Sequence, residues 1–176
     1  MSLEDYSAAL SGGHPNSLGR TVEVVEDVLQ NKKRLNKLFK CYDSSDEVVR
    51  LRTSNAFKRI FRDQPDWFPP LIPKFFEKLP TLSQASAEWT LAQLCEENNK
   101  VLTDAQRSEA KSIIKKFLIG TDDWIVLNAS MKTLGLWAPE DKALKNWLLP
   151  KLRKLATDKR KSVANRASKL LLKLEK

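Results

Sequence analysis

Histidine occurs once in the 176 residues, as His14, and cysteine twice, as Cys41 and Cys95. A single histidine in a Gly-Pro-containing stretch leaves no Ser-His-Asp triad and no histidine-based metal site in the rest of the chain. The two cysteines are too far apart for a CxxC motif, and Cys95 falls on a core-facing position, so both are expected to be small core residues in a reducing compartment. Glycine is scarce, with 5 residues, of which three lie between Ser11 and Gly19. No GxGxxG or GxxxxGK[ST] string is present, so no phosphate-cradling loop is expected. No run alternates apolar and polar residues between Gly-rich turns, which argues against strands. No apolar run approaches the ~20 residues of a membrane span, and the start of the chain lacks the apolar core of a signal peptide. These absences predict an all-α, soluble, cytoplasmic protein with no cofactor, no metal and no membrane association.

What the chain does contain is a repeated helical face. Val49, Thr53, Ala56, Phe57 and Ile60 share offsets of 4, 7, 8 and 11 with Ala87, Leu91, Leu94, Cys95 and Asn98, with Val126, Ser130, Thr133, Leu134 and Trp137, and with Val163, Ala167, Leu170, Leu171 and Leu174. Those offsets describe one side of an α-helix. The first positions stand 38, 39 and 37 residues apart. Each segment follows a second apolar pattern: Leu35, Leu38, Phe39 and Tyr42; Ile72, Phe75, Phe76 and Leu79; Ala110, Ile113, Ile114 and Phe117; Leu148, Leu152 and Leu155. A period near 40 residues with two helices per unit is the signature of a solenoid, in which each pair buries its apolar side against its neighbours.

The strings Asp43-Ser-Ser-Asp46, Pro80-Thr-Leu-Ser83, Gly120-Thr-Asp-Asp123 and Thr157-Asp158 stand between the paired helices. Their oxygens suit the free N–H groups of a helix start. Pro65, Pro69, Pro70, Pro73 and Pro139 mark breaks or first turns. Repeats are expected near 32–63, 66–98, 103–138 and 140–176 within a single domain spanning 1–176. The helix carrying Val22, Val25, Val28 and Leu29 would cap the stack, and residues 1–19 form a partly flexible segment with a short amphipathic turn at Leu3, Tyr6 and Leu10. Removing residues 1–16 is then expected to leave a soluble helical protein, whereas removing 140–176 should uncover Phe117, Val126, Leu134 and Trp137.

The net charge is +9, and it is uneven. Residues 140–176 hold 12 Lys or Arg against 4 acids, a net of +8, which favours anionic partners but also suits the solvated outer face of a terminal repeat. Superposing the second helices of the pairs on their core pattern aligns their polar flanks. Arg52, Asn55 and Arg59 then match Thr90, Gln93 and Glu97, Ala129, Lys132 and Leu136, and Arg166, Lys169 and Lys173. Of these, Arg52, Asn55, Arg59, Gln93, Lys132, Arg166, Lys169 and Lys173 form a polar, mostly basic ladder, the candidate binding site, on the layer that usually lines the concave surface. No catalytic residues are assigned. The one pattern that could conceal catalysis sets carboxylates beside tryptophans: Asp66-Trp67, Glu88-Trp89 and Asp122-Asp123-Trp124. An aromatic that stacks a base beside a carboxylate that stabilises a cationic sugar would suit an alkylpurine DNA glycosylase-like enzyme.

The string Asp46-Glu-Val-Val-Arg50, followed by Thr53, Ala56 and Phe57, resembles the inner helix of the HEAT-like superfamily, which includes armadillo and lyase-type repeats. The later copies keep Val126 and Val163 but not the arginine that follows. Ser17-Leu-Gly-Arg20-Thr-Val-Glu-Val-Val25, Val48-Val-Arg-Leu-Arg52 and Glu88-Trp-Thr-Leu-Ala-Gln93 are similar to small bacterial HEAT-repeat proteins. The resemblance covers about 20–176. It implies a right-handed α-α superhelix of about four helix pairs plus an N-terminal capping helix, serving as a non-enzymatic scaffold that binds a protein partner on its concave inner-helix face. Nucleic acid on the basic face is the alternative, and the oligomeric state is left open.

Overall fold

A computed structural model describes residues 5–176. Among them are ten α-helices joined by short 3-10 turns, with no strand, so the protein is all-α. The amphipathic turn predicted around Leu3 is described only from Asp5 onward. The chain divides into two compact units, 1–90 and 91–176, where its length suggested one domain, and each is taken by itself.

The first unit begins with α1 (Tyr6–Leu10) and α2 (Thr21–Leu29). Then come α3 (Leu35–Phe39), α4 (Glu47–Asp63), α5 (Ile72–Lys78) and the start of α6 (Ala85–Glu97). Asp46 begins α4 as expected, its carboxylate accepting from Val48 N–H at 2.8 Å. Pro65 and Pro69 open the two 3-10 turns before α5, and Pro73 sits in the first turn of α5, where its missing N–H costs nothing. Helices α1, α2 and α4 pack on one another. Phe39, Tyr42, Phe57, Phe61, Phe68 and Phe75 interlock with ring centroids 4.9–6.2 Å apart, mostly edge to face. Such pairs contribute about 0.5–1.5 kcal/mol beyond the area they bury. Tyr42 completes the cluster by sharing a 2.9 Å hydrogen bond with the Ser54 hydroxyl, so its polar tip is satisfied in the core.

The second unit comprises the end of α6, α7 (Asp104–Gly120), α8 (Trp124–Trp137), α9 (Lys142–Leu155) and α10 (Lys161–Leu174). Helix α7 packs on α8, α8 on α9 and α10, and α9 on α10. Thr103 and Gln106 form a reciprocal capping box at the start of α7, and Asp123 and Asp141 cap α8 and α9. Asp158 does not cap α10, as the sequence suggested; it accepts from the Arg160 guanidinium and backbone N–H instead. Pro150 lies inside α9 and not at a break. Gly135 lets α8 approach α10 closely, since a Cβ there would come within 2.7 Å of Leu170 Cδ2.

Every repeated core position of the first three copies is buried, including Asn98 just past the end of α6. In α10 only Val163, Ala167 and Leu174 are; Leu170 and Leu171 are half-buried. Among the polar core positions, the Thr133 hydroxyl lies 2.9 Å from the carbonyls of both Ala129 and Ala92, whereas the buried Ser130 hydroxyl has no hydrogen-bond partner among the described residues.

Candidate functional site

Arg52, the first rung of the proposed ladder, is not a surface residue. It is 1% exposed, and its guanidinium is enclosed by the backbone of the N-terminal segment. Nε donates to Ser17 O at 3.0 Å. Nη1 reaches the carbonyls of Leu10, Ser11 and Gly12 at 2.8, 3.2 and 2.6 Å, and Nη2 reaches His14 at 3.1 Å. The carbonyl dipoles surround the buried charge where a carboxylate would be the usual partner. Gly19 stands against the guanidinium with φ +52°, and a Cβ there would come within 2.9 Å of it. Carbonyls of residues 10–17, within the segment expected to be partly flexible, are thus wound around Arg52. Nearby, the Tyr6 hydroxyl and Arg34 both bond to the buried Asp27 carboxylate, tying α1 and the start of α3 to α2. Burial and the Asp27 charge push the Tyr6 phenol well above its ordinary range. Of the other candidates in this unit, Asn55 is half-buried and Arg59 exposed on α4.

The second unit brings its candidates closer together. Lys132 Nζ pairs with Glu96 at 3.1 Å, and Arg166 Nε donates to Asn128 Oδ1 at 2.9 Å. Asn128 also donates to Trp124 O at 2.8 Å and approaches Ser162 Oγ at 3.4 Å. Gln93 is half-buried, and Lys169 and Lys173 are exposed on α10. The ladder is thus not uniformly basic: Lys132 meets an acid, and Arg166 is held by a neutral amide.

A different row organises this surface. Trp124, Asn128, Lys132 and Leu136 follow one another at four-residue steps along α8, which places them on one stripe of the helix. Trp124 is 51% and Leu136 41% exposed. Trp124, beside the Asp123 cap, opens the exposed row. The sequence contained the clue in its four-residue spacing, but not that the flank is solvent-facing. Beyond Leu136 lies a hollow of about 310 Å³ bordered by Trp137, Arg107, Lys111, Glu140 and Asp141. Trp137 Nε1 donates to Asn99 Oδ1 at 2.6 Å, while Arg107 Nε is buried without a hydrogen-bond partner among the described residues. The Lys111 ammonium and the Leu144 N–H hold the Asp141 carboxyl below its ordinary range.

The carboxylates beside tryptophans occupy unlike settings. Asp123 Oδ1 accepts from Ile125 and Val126 N–H at 2.8 and 3.0 Å, so it is committed as a cap, and the Asp122 backbone carbonyl accepts from Arg160. Asp66 is exposed in a 3-10 turn and Glu88 is half-buried in α6. No group of three or more His, Cys, Asp or Glu that could hold a metal ion occurs among the described residues. None of the helices is long and apolar enough to cross a membrane among those residues. Compared with protein families, with curated proteins and with solved structures, the chain finds no significant match.

Proposed function

We propose that this chain is a non-enzymatic HEAT-like repeat scaffold that binds a protein partner through the exposed row of α8 and the flank of α10 beside it. The alternation of outer helices α7 and α9 with inner helices α8 and α10, at the period carried by the sequence, supports the repeat reading. The observation that carries the functional reading is the composition of the row: an exposed tryptophan and an exposed leucine bracket Asn128 and a Lys132–Glu96 pair. Protein interfaces concentrate their binding energy in aromatic anchors such as Trp124 set within polar surroundings. A phosphate-binding face would instead present several cations free of acidic neighbours.

Affinity capture with the full chain, comparing wild type with a Trp124→Ala/Leu136→Ser variant, tests the reading. Both residues are exposed, so the variant is expected to keep its helical signal and lose its captured proteins. Recovery of no partner, together with tight nucleic-acid binding at physiological salt, would refute the scaffold reading.

The second reading, nucleic-acid binding, rests on Lys169 and Lys173, which project from α10 within a segment of net charge +8. It requires duplex affinity to fall steeply with salt, with a slope of about 0.9 per phosphate contacted. It also requires the shift to vanish on replacing Arg166, Lys169 and Lys173 by Glu. An unchanged shift in that triple variant eliminates it.

A further inference from the structure

At the end of the second unit where α7 meets α8 and α9 meets α10 lies a hollow of about 290 Å³. Leu118 and Leu127 form its buried base, Leu155 one half-buried wall, and Ile119 a rim that is 66% exposed. None of Trp124, Asn128, Lys132 or Leu136 lines it, so it is separate from the α8 row. A single exposed apolar residue is ordinary on a protein surface. Here, however, the exposed Ile119 edges an open depression with an apolar base, and that depression is just below the ~300–1,000 Å³ of small-molecule pockets. Its size and openness suit one side chain of a polypeptide better than an enclosed ligand.

The polar groups around it select the neighbours of that side chain. Lys151 and Lys154 stand on the rim, one helical turn of α9 apart. Lys151 gives its ammonium to the carbonyl of Trp147 at 3.2 Å and rests over the Trp147 ring at 4.0 Å, where Lys115 approaches from α7 at 4.9 Å. Lys154 is exposed in the last turn of α9, and neither rim lysine meets a carboxylate among the described residues. The two acids at the hollow are Asp122 and Asp158. Asp158 is spent on a bidentate pair with Arg160, at 2.8 Å for both bonds, and the same guanidinium bonds to the Asp122 backbone carbonyl, while the exposed Asp122 carboxylate stays at the edge of the hollow. Arg160 thereby closes the α9–α10 turn onto the α7–α8 turn and gives the hollow a fixed edge, while the lysines remain available.

We propose that this hollow receives one large apolar side chain of a partner polypeptide, with acidic residues on either side of it paired to Lys151 and Lys154. The apolar anchor supplies affinity through burial, and the lysines supply orientation and rate of encounter. Both stand on a surface distinct from the α8 row, so the inference does not depend on what that row binds.

The test uses the full chain and fluorescence anisotropy of a labelled peptide in which a single Phe is set among alternating Asp and Glu. A second peptide with Ala for Phe, and a third with Lys for the acids, serve as comparisons. The Phe-acidic peptide is expected to bind about ten-fold tighter than the Ala-acidic peptide, and the basic peptide not at all. Lys151→Glu/Lys154→Glu should weaken it about ten-fold or more, and Ile119→Ser by a smaller factor. Trp124→Ala/Lys132→Glu should leave it unchanged, which separates this surface from the α8 row. Equal binding of the Phe and Ala peptides on wild type would reduce the effect to charge alone and overturn the proposal. So would absence of binding, full retention in the double lysine variant, or loss confined to the α8 variant.

Discussion

Replacing Arg52 by alanine removes five hydrogen bonds between a charged guanidinium and backbone carbonyls of residues 35 to 42 positions earlier in the chain. Bonds to a charged group contribute about 1.5–3 kcal/mol each, so the gross interaction is on the order of 10 kcal/mol. Desolvation of the guanidinium offsets several kcal/mol of this. Once the side chain is gone, the carbonyls of the exposed residues Ser11, Gly12, His14 and Ser17 regain water. The net cost of Arg52→Ala is therefore about 3 kcal/mol, which corresponds to a fall in melting temperature of roughly 6–12 °C. Thermal and urea unfolding followed by circular dichroism measure it. Arg52→Lys should recover little, because three donors on one nitrogen cannot span carbonyls spread from Leu10 to Ser17. Deleting residues 1–16, which the sequence suggested would leave a soluble helical protein, should cost at least as much, since Tyr6, Ala9 and Leu10 are buried and four of the five carbonyls go with them. The deletion and Arg52→Ala should be far from additive, because they remove the same contacts. An Arg52→Ala protein within about 1 kcal/mol of wild type would refute the idea that the cage organises the N-terminal segment.

Three further outcomes are expected. The Arg160 guanidinium and backbone N–H hold the Asp158 carboxyl down at about 2; its contribution to stability is complete above the ordinary carboxylate value of about 4 and is lost as pH falls toward 2. Wild type and Arg160→Ala should therefore differ in melting temperature at pH 6 and converge on acidification, and a constant difference down to pH ~2 would contradict the assignment. Burial pushes the Cys41 and Cys95 thiols up to about 11 and about 12, so a thiol reagent at pH ~8 should label neither in the native protein and both after unfolding, as counted by mass spectrometry. Removing residues 140–176 strips α9 and α10 from α8; with each large buried side chain contributing about 1.5–3 kcal/mol, the remainder should aggregate, whereas a soluble, cooperatively melting 1–139 fragment would show that α8 does not need them.

The helical pairs were legible in the sequence because a helix face is written at offsets of three and four. Phe57, Leu94 and Leu134 were recognisable as core without any knowledge of what covers them, although Leu170 and Leu171, at the matching places of α10, are only half-buried. Caps such as Asp46 and Asp123 are equally local, since their oxygens act on N–H groups two or three residues ahead. The same periodicity gave Arg52 and Arg166 the same place on their helices, yet it could not distinguish their environments. Only tertiary structure assigns Arg52 to a cage of carbonyls and Arg166 to an asparagine on the neighbouring helix, because those partners come from chain segments 35 to 42 and 38 residues away. It likewise set Lys132 against Glu96, 36 residues earlier, and left Trp124 in solvent beside a capped helix start. Local pattern determines which side of each helix is buried; whether the opposite flank meets water, an acid or the returning backbone depends on contacts that no repeating offset encodes.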